Sequence, residues 1–203
     1  MAQEIEFFFD VGSPYSYLAS TQLAGLSERT GCSVRWRPFL LGGVFKAAGN
    51  TMPGAVAAKA QWMLGDLKLW SKNYDVPFNF SPHFPLNTIQ AQRALSFQEI
   101  EDPAGVSAFA EAIFRGFWVD GENVSDPEVI RKLADRAKAD HPAVVQGDRV
   151  IEGIGQQETK DRLRATTDEA VSRGAFGAPT FVVAERLFWG NDRLPQVEQA
   201  AKG

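Results

Sequence analysis

The stretch Ile5-Glu6-Phe7-Phe8-Phe9-Asp10-Val11-Gly12-Ser13-Pro14-Tyr15-Ser16 decides the reading of this chain. Ile5 to Asp10 is a short apolar run and reads as a buried strand. Gly12-Ser13-Pro14 breaks it. A serine followed by proline is a helix-start signature, a hydroxyl cap and then Pro at the first helical position. The predicted helix runs to about Thr30, with Leu18, Thr21, Ala24 or Gly25, and Leu26 near helical spacing, and Gly31 stops it. Ser33 to Pro38 alternates and reads as a second strand. This is a βαβ start, right-handed if its strands are parallel.

The middle of the chain differs. From about Gly42 to Asp140 there is little strand pattern. Val56, Ala60, Met63, Leu64, Leu67 and Trp70 recur at helical spacing and predict an amphipathic helix. Asn87 to Gln98, Val106 to Trp118, Asp126 to Lys138 and Gly155 to Ser172 read as further helices. Strand pattern returns in Pro179 to Val183. Glu185-Arg186 reads as a tight turn, Leu187 to Trp189 as a last strand, and Gly190-Asn191-Asp192 as the start of a final helix. The order β-α-β, helical block, α-β-β-α is the layout of a thioredoxin-like α/β fold with an inserted all-helical domain. The boundaries expected are 1–40 and 150–203 for the thioredoxin-like part and 41–149 for the insertion.

Composition narrows the function. The chain has 203 residues, 44% of them hydrophobic and 23% charged, which suits a globular protein of one domain or one with an insertion. A formal charge of −4 argues against a nucleic-acid binder, which needs a basic field. One cysteine, Cys32, makes no intrachain disulfide, and with His83 and His141 it makes no structural zinc site. No segment has the run of about 20 apolar residues that a membrane helix needs. The N-terminus lacks the basic and then apolar pattern of a signal peptide, so a reducing cytoplasm is the expected location. Fifteen Phe, five Trp and three Tyr hint at an aromatic-lined pocket.

Four constellations could carry chemistry. In redox proteins of this fold, Cys-x-x-Cys occupies the place of Ser13-Pro14-Tyr15-Ser16. Serine cannot perform thiol–disulfide exchange, but Ser13 can donate its hydroxyl to a thiolate brought by a ligand; taken alone, a plain helix cap accounts for it better. Phe176-Gly177-Ala178-Pro179-Thr180 enters an apolar strand and fits a cis-proline that leaves the backbone of Ala178 open to a peptide-like ligand, against a trans proline that merely starts the strand. Asn191 and Asp192 lie at a helix start, where amides could hold a carboxylate and the Asp192 side chain an ammonium, or where they form an ordinary cap. Asn50 and Lys59 could close on a second carboxylate, although a lone helix lysine is more often a solvated charge.

Together these stretches resemble the kappa-class glutathione transferases and, more closely, the 2-hydroxychromene-2-carboxylate isomerases. The resemblance also takes in Phe9 to Leu18, Gly49-Asn50, Trp62-Met63, Asp66-Leu67, Asn87-Thr88 and Trp189 to Leu194, in order along nearly the whole chain. It implies a glutathione-dependent homodimer. Ser13 resembles the catalytic serine that contacts the glutathione sulfur. Ala178 and Pro179 resemble the docking strand for the cysteinyl unit, and Gly190, Asn191 and Asp192 the residues at the γ-glutamyl end. Asn50 and Lys59 match the other ligand-contacting pair. The implied reaction is isomerisation of an aromatic 2-oxo acid of aromatic-compound catabolism, such as naphthalene degradation. Thiolate adds, a bond rotates, and elimination returns glutathione. Lys46, Arg93 and Tyr15 are the candidate contacts to the anionic substrate. The isomerases have polar contacts just after the Asn50 loop, where this chain has the small, apolar Gly54-Ala55-Val56. A kappa-type transferase that conjugates or reduces electrophiles is the alternative, followed by a non-catalytic glutathione-binding module. The absent cysteines at 13 and 16 argue against a disulfide oxidoreductase.

Overall fold

A computed structural model describes residues 4–203. The central strand β1 (Ile5–Phe9) pairs in parallel with β2 (Val34–Pro38) and antiparallel with β3 (Thr180–Val183), and β3 pairs antiparallel with β4 (Arg186–Trp189). The sheet order is β2-β1-β3-β4. Because successive side chains of a strand point to opposite faces, the Phe7-Phe8-Phe9 run feeds two cores at once. Phe7 and Phe9 pack on one face with Leu18, Phe114 and Phe181. Phe8 packs on the other with Phe39, Val44 and Val182. Above Phe8 lies an ion network in which Arg37 pairs with Glu6 at 3.0 Å and with Glu169, and Arg173 pairs with both acids.

The helix after β1 comes in two pieces, α1 (Pro14–Ser20) and α2 (Leu23–Thr30), where one was expected. Side-chain hydroxyls cause the break. Ser20 and Thr21 donate back to the carbonyls of Tyr17 and Leu18 at 2.7 and 2.8 Å, and the Gln22 N–H takes a tightened bond to Ala19. Seven helices then lie between β2 and β3: α3 (Leu41–Ala48), α4 (Ala57–Asn73), α5 (Ile89–Glu101), α6 (Val106–Trp118), α7 (Pro127–Asp140), α8 (Gly147–Ile154) and α9 (Gln157–Ser172). A 3-10 turn, Asn191–Arg193, leads into α10 (Leu194–Lys202).

Two sequence expectations need correcting here. The β3–β4 turn is Ala184-Glu185, not Glu185-Arg186; both residues have positive φ (46° and 65°), a conformation no Gly or Asn signals. The α4 helix forms where the periodicity places it, but it is a thin partner of the core. Only Leu67 is buried, Val56 and Leu64 are exposed, and Trp62 is 67% exposed.

The buried Gln92 of α5 fixes the carboxyl ends of both parallel strands. Its amide nitrogen donates to Phe9 O at 2.8 Å and to Phe39 O at 2.7 Å. The Trp118 indole of α6 donates to Val11 O at 2.9 Å. The loop Asp10–Ser13 is thus held from the helical block, at the end of the sheet where functional groups gather.

Candidate active site

Ser13 caps α1 as its sequence demands. Its φ and ψ of −92° and 114° are extended, and Oγ accepts from the Ser16 N–H at 3.2 Å. The same hydroxyl donates to Ala178 O at 3.1 Å across 165 residues of sequence. The side chain is almost fully buried. The Ala178–Pro179 bond is cis, as the motif predicts. The Gly190 N–H donates to Pro179 O at 3.0 Å, which brings the Gly190-Asn191-Asp192 turn alongside. Gly190 needs no side chain here, with φ at 103°. Gly177 lies under the Trp189 indole, where a Cβ would meet Nε1 at 2.5 Å.

The other predicted residues divide into free and committed groups. Lys59 in the first turn of α4 and Lys46 in the last turn of α3 are exposed and have no acidic partner among the described residues. Arg93 is half-buried on α5, likewise without an ion pair. Asp192 is 44% exposed and pairs with its neighbour Arg193 at 3.2 Å. Asn50, by contrast, spends its amide on the protein. Nδ2 donates to Phe176 O at 3.1 Å, and Oδ1 accepts from the Thr51 N–H. Asn191 is buried; its carbonyl accepts from the Tyr74 hydroxyl at 3.1 Å, and its amide reaches the same oxygen at 3.4 Å. The Tyr15 hydroxyl donates to Asp66 on α4 at 2.8 Å. Burial and the Asp66 carboxylate together hold the Tyr15 phenol above its usual range, so it remains protonated.

Sequence reasoning quoted Asp10 and Asp66 without giving them a role and passed over Tyr74 and Gln92. Asp10 is 2% exposed, and its carboxylate accepts from the N–H groups of Gly12 and Leu41, each at 2.9 Å, and from the Thr88 hydroxyl at 3.1 Å. Burial pushes its pKa up while those three donors pull it back. The signal available was an acidic residue ending an otherwise apolar strand.

The architecture defines a thioredoxin-like protein in which serine replaces the reactive cysteine beside the Ala178–Pro179 strand. The chain belongs to the DSBA-like thioredoxin domain family, whose sequence profile matches residues 4–202. It is 34% identical over 200 residues to the 2-hydroxychromene-2-carboxylate isomerase of Sphingobium xenophagum, covering 98% of this chain and 97% of the relative. It is 29% identical to glutathione S-transferase kappa 1 of Rattus norvegicus, covering 94% and 87%. A solved 2-hydroxychromene-2-carboxylate isomerase superposes with a TM-score of 0.83 at 25% identity, covering 97% of this chain and 93% of that one. No helix among the described residues is long and apolar enough to cross a membrane.

Proposed function

We propose that the protein is a glutathione-dependent isomerase acting on 2-hydroxychromene-2-carboxylate or a related aromatic 2-oxo acid. The observation that carries this is the Ser13 hydroxyl, buried at a helix start and 3.1 Å from the Ala178 carbonyl. A donor held there can turn from the carbonyl to an anionic sulfur docked on the same strand. The donor set fits the tripeptide. Ala178 offers backbone groups for the cysteinyl unit, Asp192 a carboxylate for the γ-glutamyl ammonium, and Lys59 a cation for the glycyl carboxylate. Pro179 and Gly190 shape the strand, while Asn50 and Asn191, whose side chains are engaged, fix the loops that flank it.

What glutathione supplies when bound is a thiol that, once ionised, adds reversibly to a conjugated chain. The protein's own groups do the rest. The Ser13 hydroxyl favours the ionised sulfur by donating to it, and a hydrogen bond to the charged form lowers the pKa of the thiol that accepts it. Lys46 and Arg93 offer unpaired cations to the substrate carboxylate. Tyr15 stays protonated against Asp66.

A homodimer forms part of this proposal. Ala58, Trp62, Gly65 and Leu69 make an i, i+4, i+7, i+11 stripe along the exposed side of α4. Trp62 and Leu69 are 67% and 56% exposed, and nothing stands within 4 Å of a Cβ built on Gly65. Large and small residues on one stripe are self-complementary about a two-fold axis, so the occupant we assign is a second copy of α4.

The functional test is stoichiometric. With a 2-hydroxychromene-2-carboxylate substrate, isomer should accumulate over many turnovers while glutathione stays constant. The 29% identity to a kappa transferase supports a second outcome, in which glutathione is consumed one for one with an electrophile. No turnover of either kind would leave only a binding module.

A further inference from the structure

Asp10 is a buried carboxylate without a cation. Its partners are the Gly12 and Leu41 N–H groups and the Thr88 hydroxyl, all three donors to its oxygens, the arrangement an ionised carboxylate calls for, and no lysine, arginine or histidine pairs with it among the described residues. A charge taken out of water without a counter-ion is costly, and a neutral side chain could tie these segments at lower cost. Its position suggests what the charge is for. The Asp10 carbonyl accepts the Ser13 N–H at 2.9 Å, and its carboxylate accepts the N–H of Gly12, the residue just before Ser13. The other two donors begin α3 and α5, the helices that carry Lys46 and Arg93.

We propose that Asp10 is a positioning residue whose buried negative charge opposes Ser13 and keeps the docked thiol only partly ionised. This rests on the glutathione reading above. A sulfur that must both attack and leave works best when its pKa lies near the ambient pH, because a more acidic thiol is a weaker nucleophile. Ser13 pulls the ionisation down and a like charge nearby pushes it up. The two residues, three positions apart, set the balance.

Asp10→Asn removes the charge and keeps the shape. Its amide oxygen can still accept from the Gly12 N–H, and its amide nitrogen, placed toward α3, gives up the bond from the Leu41 N–H while donating to the Thr88 hydroxyl; the Asp10 carbonyl that holds Ser13 is untouched, so the sign of the effect at Ser13 follows the charge. The midpoint of the bound thiol, read from ultraviolet thiolate absorbance against pH, should fall by about one unit, a tenfold rise in the ionisation constant. A purely structural Asp10 would loosen Ser13 and raise the midpoint. An unmoved or raised midpoint in a folded variant overturns the proposal. Calorimetry on the wild type separates the two readings, since absence of saturable glutathione binding removes the glutathione reading and this inference with it. Should Asp10→Asn not fold, reciprocity supplies a test on the wild type. The Asp10 carboxyl carbon, followed by nuclear magnetic resonance, should show a chemical-shift step at the pH where the bound thiol ionises, a step that is missing with S-methylglutathione, which has no ionisable thiol. Absence of that step with glutathione bound would overturn the assignment.

Discussion

At Ser13 two hydrogen bonds meet on one oxygen, one accepted from the backbone of its own helix and one donated to Ala178. Ser13→Ala tests which of them matters for chemistry. A hydrogen bond to a charged group contributes about 1.5–3 kcal/mol. The bound thiol's midpoint should therefore rise by about one to two units in the variant. On the glutathione reading, affinity for glutathione, measured well below that midpoint, should hardly change, because the contacts proposed for Lys59, Asp192 and the Ala178 backbone are intact. Loss of the cap should cost about 1 kcal/mol of stability. A lower melting temperature with an unmoved midpoint would reduce Ser13 to a helix cap. Ser16 is the contrast. Its hydroxyl is buried and has no partner among the described residues. Ser16→Ala should be neutral or stabilising in thermal melts and leave the thiol midpoint alone; a loss of more than about 1 kcal/mol would reveal a partner for the hydroxyl. Ser13 and Ala178 were legible in the sequence because each sits in a short local motif. The roles of Asp66, Tyr74 and Asp10 were not, since Asp66 and Tyr74 meet partners 51 and 117 positions away, and Asp10, beyond its local bond to Gly12, meets Leu41 and Thr88 at 31 and 78.

Helix by helix, local signals worked where caps are local. Asp126 caps α7 through the Glu128 N–H at 2.9 Å, and Pro127 follows, as the sequence announces. The α3 and α8 helices went unread for the opposite reason. Leu40 and Gln146 offer no capping side chain. The first N–H of α3 goes instead to Asp10, and that of α8 to Asp135 at 2.8 Å. Capping by a distant carboxylate leaves no trace in the local pattern. The α8 helix also depends on having no side chain at Gly153, where a Cβ would stand 2.3 Å from the Phe97 ring of α5. Gly153→Ala should destabilise the protein by about 1–3 kcal/mol in denaturant melts, and no loss would mean that α8 slides freely on α5. In α7, the hydrogen bond from Arg131 holds the Glu128 carboxyl down at about 2, from 4.5. A depressed acid stabilises the fold above its unfolded value and loses that contribution as pH falls through the folded one. Glu128→Gln should thus melt lower than wild type near neutrality. The gap should close between pH 4.5 and about 2; a gap that persists in stronger acid would assign the loss to helix propensity. The pair is exposed, so the effect is small.

For the whole molecule, α4 joins two properties. It presents the Trp62 stripe outward, carries Lys59 in its first turn, and is tied to the elements around Ser13 and Asn191 by Tyr15–Asp66 and Tyr74–Asn191. Light scattering should give about twice 22.3 kDa, and Trp62→Glu should halve it. The melting temperature of the wild type, but not of the variant, should rise with protein concentration. A monomeric wild type at micromolar concentration would end the two-fold assignment. The absence of cysteine at 13 and 16 has a different consequence. Cys32 is 4% exposed and sits under the Ala201 carbonyl, so the chain carries no accessible thiol of its own among the described residues. On the glutathione reading, the reactive thiol of the site arrives with the ligand and departs with it. Peroxide that spoils that sulfur spoils a replaceable part, and the next molecule from the soluble pool restores the enzyme without any repair reaction on the protein.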